Sequence, residues 1–178
     1  MKTFEEQTDE SINRKNLEKE LEPNTNMRRL FIKKSGALQL NAWLAPNDRQ
    51  FLPGKQKADR LKEYVVAERI FTRTDGLTIT VRTFVAHPHY VKIANLGLLG
   101  AWSDLKPPKL SSDFALPTTV QGIPTTAYRT TDGGLSATIP VGAEALINIT
   151  TPKWSDLSTA LEFAERLDIA RLKTKLAT

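Results

Sequence analysis

Phe71-Thr72-Arg73-Thr74-Asp75-Gly76-Leu77-Thr78-Ile79-Thr80-Val81-Arg82 is the most telling stretch of the chain. Leu77, Ile79 and Val81 alternate with Thr78, Thr80 and Arg82, the period-two pattern of a strand with one apolar face. Thr74-Asp75-Gly76 reads as a hairpin turn, because Asp and Gly tolerate the positive φ that tight turns need. The same wording returns as Tyr128-Arg129-Thr130-Thr131-Asp132-Gly133-Gly134-Leu135-Ser136. Each copy is followed by one tetrapeptide, Trp102-Ser103-Asp104-Leu105 and then Trp154-Ser155-Asp156-Leu157. The two aspartates are 57 residues apart and the two tryptophans 52, so the first half holds extra residues between turn and tetrapeptide. The His-Pro-His segment lies in that stretch.

Outward from these turns, residues 64–73 are rich in β-branched and aromatic side chains, as strands are. Phe84-Val85 breaks the alternation, which predicts a bulge or a strand end. Residues 90–96 read as a short helix or a further strand. Leu135, Ala137, Ile139 and Val141 alternate with Ser136, Thr138 and Pro140, and residues 145–150 form another strand. Pro140 cannot donate to a ladder, so its strand is expected at an edge or ending there. Thr151-Pro152 suits a helix entry with Pro at the first position, and Ser155 is an alternative cap. Leu157, Ala160, Leu161, Ala164 and Leu167 recur at helical spacing. Asp168 is a candidate cap for a last turn in which Ile169 and Leu172 pack back. Residues 47–59 and 106–122, punctuated by Pro, Gly, Ser and Thr, read as connections. The expected fold is α+β: one antiparallel sheet built largely from two hairpins, about 64–85 and 123–150, backed by an amphipathic helix at about 153–167. Residues 1–26 are expected to be a flexible charged arm, 27–46 a basic and apolar segment, and 47–178 one globular domain.

A hydrophobic fraction of 40% and a charged fraction of 25% suit an ordinary globular protein. Cysteine is absent, which excludes disulfides, thiolate metal sites and cysteine nucleophiles. No stretch approaches the ~20 apolar residues of a spanning helix. The net charge of +5 is unevenly spread. Residues 1–22 hold 4 basic and 7 acidic side chains, residues 23–109 hold 15 and 6, and residues 110–178 hold 6 and 7. The basic middle favours anionic partners, such as nucleic acid, acidic protein or a lipid head group.

Arg28-Arg29-Leu30-Phe31-Ile32-Lys33 precedes a moderately apolar run ending at Ala45-Pro46. The hexapeptide resembles the twin-arginine export signal, with the pair on Arg28 and Arg29, the aromatic on Phe31 and the lysine on Lys33. Ile32 stands where Leu is usual, and Met27 where Ser or Thr is usual. The resemblance implies a receptor-read address and a periplasmic or otherwise extracytoplasmic domain. The competing reading is a basic strand or turn, then a short helix packing Leu38, Trp43 and Leu44, in a chain that is cytoplasmic by default.

His87 and His89 are the only histidines. On a strand, their i, i+2 spacing would point both the same way, the minimum for a metal pair. No nearby carboxylate offers a third ligand, so no metal or cofactor is expected and a hydrogen-bonded turn is the simpler role. Phosphate-loop and nucleophile-elbow patterns are missing, and no catalytic residue is assigned. Arg28, Arg29, Lys33, Lys34, Lys55, Lys57, Arg60 and Lys62 could form a basic patch, which Arg69, Arg73 and Arg82 would extend if they share a face. The candidate binding residues are His87, His89, Tyr90, Arg69 and Arg82, with residues 87–100 the region of first interest. Three functions compete. The first is a non-catalytic binding or accessory domain working through a sheet face or edge on another protein or an anionic ligand. The second is a metal-dependent or hydrolytic enzyme centred on His87 and His89. The third is nucleic-acid binding by the basic middle, for which aromatic residues are sparse.

Overall fold

A computed structural model describes residues 34–60, 64–95, 110–131, 133–152 and 156–177. Among them lie four helices, α1 (Lys34–Leu44), α2 (Pro88–Asn95), α3 (Leu157–Arg166) and α4 (Ile169–Ala177). Seven strands accompany them: β1 (Phe51–Arg60), β2 (Tyr64–Arg73), β3 (Thr78–Ala86), β4 (Leu110–Val120), β5 (Ile123–Thr130), β6 (Leu135–Val141) and β7 (Ala145–Thr151). All seven form one antiparallel sheet in the order β1-β2-β3-β7-β6-β5-β4. The fold is α+β, and both expected hairpins are present. None of the described helices is long and apolar enough to cross a membrane.

The two echoing turns are built alike. Arg73 N–H donates to Leu77 O at 2.8 Å, and Gly76 N–H to Arg73 O at 2.9 Å. Thr130 N–H donates to Gly134 O at 2.9 Å, and Gly133 N–H to Thr130 O at 3.0 Å. Gly76 at φ 95° and Gly133 at φ 91° take the left-handed position of a three-residue hairpin loop. Yet the strand order turns one hairpin over relative to the other. Both turns lie at the same end of the sheet, because β2 and β5 run the same way and β3 and β6 run back. From β2 the chain steps toward β7; from β5 it steps toward β7 from the opposite side. A half-turn about the strand direction relates the two, and it exchanges the faces of the sheet. Residues equivalent by turn geometry therefore point oppositely: Ile79 enters the main core, while Ser136 lies on the other face.

One face lies under α1, α3 and α4. Its core includes Val65, Ala67, Phe71, Ile79, Val81, Val85, Ile139, Ile147 and Ile149, met by Leu40, Leu44, Phe163, Leu172 and Leu176 from the helices. Phe163 sets its ring 4.9 Å from Phe51 and 5.5 Å from Phe71. The C-terminal turn of α3 is held from both outer ends of the sheet. From the β1 side, Asp48 accepts from Arg166 at 2.5 Å. From the β4–β5 turn, Gln121 Nε2 donates to Leu167 O at 2.7 Å and to Ala164 O at 3.1 Å. Flat, the seven strands would span about 29 Å. Opposite corners meet one helix end because the right-handed strand twist, about 20–25° per step, accumulates and curls the sheet.

At one end the other face is apolar too. There α2 packs Val91 and Ala94 on Val66, Phe84, Ala86 and Leu146, with Tyr64 and Tyr90 at the margin. This explains the broken alternation at Phe84-Val85. The strand neither bulges nor ends; it runs on to Ala86 with both faces buried.

Several expectations need correction. Residues 47–59 are not merely a connection, because β1 occupies most of them, and β4 occupies most of 106–122. Both are edge strands, where Pro53 and Pro117 cost no ladder bond to a second neighbour. Pro140 is on the interior strand β6, but β5 pairing stops at Thr138, so the proline lies past it. The α3 cap is Asp156, whose carboxylate accepts from Thr159 N–H at 3.0 Å. Asp168 caps α4 through Arg171 N–H at 3.1 Å, and the final turn is a full helix. After the arginine pair, residues 34–44 form a helix whose Leu40, Trp43 and Leu44 are core. Arg28, Arg29, Phe31 and Lys33 lie outside the described residues, as do the first Trp-Ser-Asp-Leu copy and the Trp154-Ser155 half of the second.

Candidate functional site

On the face away from α1, α3 and α4, cross-strand pairing lines up a row of hydrogen-bonding side chains. Lys57 stands opposite Glu68, Glu68 opposite Arg82, Arg82 opposite Asn148, Asn148 opposite Thr138, and Thr138 opposite Thr126. Six strands contribute one residue each, over about 24 Å at sheet spacing. The next row carries Thr80, Thr150, Ser136 and Tyr128. Period-two geometry forces this result, since every second residue of an interior strand must face that way.

Contacts knit the rows together. Glu68 Oε1 is 3.7 Å from Lys57 Nζ, and Glu68 Oε2 is 2.9 Å from Arg82 Nε. The latter is an ion-pair contact outside hydrogen-bond geometry, leaving Nε without a hydrogen bond. Arg82 Nη1 reaches Thr150 Oγ1 at 3.4 Å, and that hydroxyl donates to Asn148 Oδ1 at 3.1 Å. Asn148 Nδ2 donates to Ser136 Oγ at 2.8 Å and Thr138 Oγ1 at 3.2 Å. Side-chain exposure is 12% at Arg82 and 10% at Glu68. Burial lowers the Arg82 guanidinium from its ordinary range, and the Glu68 carboxylate opposes that shift. A charged pair at this depth persists because each member is the other's counter-ion.

The residues singled out by sequence do not converge. Arg69 pairs with Val81 on the helix-covered face, whereas Arg82 pairs with Glu68 on the polar face, so the hairpin arginines do not form one patch. Arg73 is held by Asp75 at 2.6 Å. His87 follows β3 and starts α2: its carbonyl accepts from Tyr90 and Val91 N–H at 2.9 and 3.2 Å, and its Nδ1 from His89 N–H at 3.3 Å. His89 lies within the helix, so the two histidines lack the strand geometry that would point an i, i+2 pair the same way. Its ring meets Tyr90 edge-on at 5.7 Å. Among the described residues no three His, Asp or Glu side chains are grouped to hold a metal. Arg82 shares a face with α2 but sits four residues from Ala86, about 13 Å along the strand.

Sequence reading took Lys57 only as part of a basic patch, and missed Glu68, Ser136, Thr138, Asn148 and Thr150. A signal existed at Asn148, an amide inside Leu146-Ile147-Asn148-Ile149, since buried strands keep such a group only with partners. Comparison with protein-family models, with curated proteins and with solved structures gives no match for this chain.

Proposed function

We propose that this chain is a non-catalytic binding domain that engages its ligand through the polar face of the sheet. The observation behind this reading is the six-strand row from Lys57 to Thr126, with its hydrogen-bonded flank. Donors and acceptors mounted on interior strands and fixed by neighbours are preorganised, which limits the entropy lost on association. Each charged member is committed to a partner, an arrangement that holds positions rather than keeping a proton in reserve. Thr126, Thr138 and Tyr128 are half-buried and form the accessible border.

The test is a screen of glycan and peptide arrays with the full chain, repeated with Thr126→Glu and Thr138→Glu together. Lys173→Glu, on the exposed side of α4, is the control. Hits abolished by the paired change and kept by the control support the reading. Hits that survive the paired change with undiminished intensity overturn it.

A further inference from the structure

Three arginines among the described residues are half-buried: Arg69, Arg73 and Arg82. Two have carboxylate partners, Asp75 and Glu68. Arg69 has none. Its Nε is buried without a hydrogen bond, and its guanidinium carbon lies 6.0 Å from the centre of the Phe71 ring. A guanidinium withdrawn from water without a counter-charge is costly unless something else supplies it.

Among the described residues, the surroundings supply further donors and no acid. Gln56 of β1 lies directly opposite Arg69, placing their Cβ atoms about 5 Å apart on the same face. Asn41 of α1, itself 4% exposed, donates through Nδ2 to Gln56 Oε1 at 3.3 Å and to Glu68 O at 3.2 Å. With its oxygen engaged by Asn41, the Gln56 amide has its NH2 left as a donor on the face it shares with Arg69. The α1 sequence contains no Asp or Glu. Asp59 of β1 pairs with Val66 and so belongs to the other face. On β3 the residue across from Arg69 is Val81. Asn41 thus acts as a positioning residue for a two-donor cradle at the β1 edge, on the side of the sheet away from the polar row.

We infer that Arg69 and Gln56 form a binding subsite for a small oxyanion, a carboxylate or a phosphate group. The guanidinium edge offers parallel N–H donors to two oxygens, and the Gln56 amide offers a third. The subsite is independent of the polar face, since Arg69 and Arg82 point to opposite sides.

The experiment follows the Arg69 Nε–Hε resonance of the 15N-labelled full chain, assigned through the backbone. Sodium phosphate and sodium acetate are titrated separately, with sodium chloride holding ionic strength constant. A saturable shift at Arg69, set against a linear drift at exposed Arg171, is the expected result. The better-saturating anion identifies the source, acidic side chain or phosphoryl group. Gln56→Leu is expected to weaken that binding about tenfold, the loss of one charge-free donor to an anion. Arg69→Met, which keeps the packing on Phe71, is expected to abolish anion-dependent thermal stabilisation. A linear drift at wild-type Arg69 with both anions overturns the inference, whether or not either variant folds.

Discussion

Thr83 shows how much a single group can contradict its neighbours. It occupies a core slot on β3, fully buried between positions filled by Val81 and Val85, and its hydroxyl has no hydrogen-bond partner. Burying an unpaired hydroxyl is unfavourable. Thr83→Val keeps the shape and is expected to stabilise the chain by about 1 kcal/mol, read as a melting temperature about 2–4 °C higher. Asp75 makes a second prediction at this scale. Hydrogen bonds from the Arg73 side chain, and then from Leu77 N–H, hold its carboxyl at about 2 against an ordinary 3.8. A depressed carboxyl contributes stability above its unfolded pKa and loses it as pH falls through the folded one. Melting temperature followed from about pH 5 to about pH 2 should fall less steeply in Asp75→Asn than in wild type, because the variant lacks this group. Neither effect was legible in sequence in full. The turn around Asp75 was, through Asp-Gly chemistry. Thr83 read as an ordinary member of a threonine-rich strand, because one-dimensional alternation does not reveal that a hydroxyl has landed inside.

At the scale of elements, the interior hairpins announced themselves and the edges did not. β2, β3, β6 and β7 are buried on at least one face and carry the alternation that burial imposes. β1 runs exposed from Leu52 to Lys57, includes Pro53 and a register shift before Gln56, and so resembles a loop in composition. Lys55, Lys57, Pro53 and that irregularity also protect the edge from pairing with another chain. The turn between β4 and β5 is another element whose role sequence did not disclose. Gln121 and Gly122 both adopt positive φ, at 51° and 78°, as a tight two-residue hairpin loop requires. A glutamine there is strained, yet its amide caps the carbonyls at the end of α3. Gln121→Ala removes the cap and keeps the strain, with an expected loss of about 1–2 kcal/mol in denaturant unfolding. Gln121→Gly removes both, so it should be about 1 kcal/mol less damaging than alanine. If the alanine variant proves the more stable of the two, the strain account is wrong; if alanine costs nothing against wild type, the capping account is wrong. Gly134 is constrained differently: an added Cβ would come 2.4 Å from Thr151 O and 3.2 Å from Pro152 C. Both are backbone atoms, so Gly134→Ala should cost about 2 kcal/mol or more in the same assay.

Across the whole molecule, the sequence disclosed one sheet, two hairpins and a backing helix, and left the curl and the seating of the site unread. Curl arises from accumulated twist, and the polar row arises from register between strands far apart in sequence; neither is a local pattern. The echoing turns were visible as words, but their inversion depends on strand order. That inversion gives Gly134 a further meaning. The first turn passes from Gly76 straight to Leu77, whereas the second inserts Gly134 between Gly133 and Leu135. The extra residue acts as a frame shift for the hydrophobic pattern, letting one turn design serve a hairpin that has been flipped. Leu135, Ala137 and Ile139 then fall inward, when the first hairpin's phasing would have sent them out. Deleting Gly134 is therefore expected to do more than weaken the chain. It should send Leu135, Ala137 and Ile139 of β6 to the polar face, leaving an expanded state that binds the dye ANS while retaining strand content by circular dichroism. One glycine without a side chain sets which way the residues of a whole strand face.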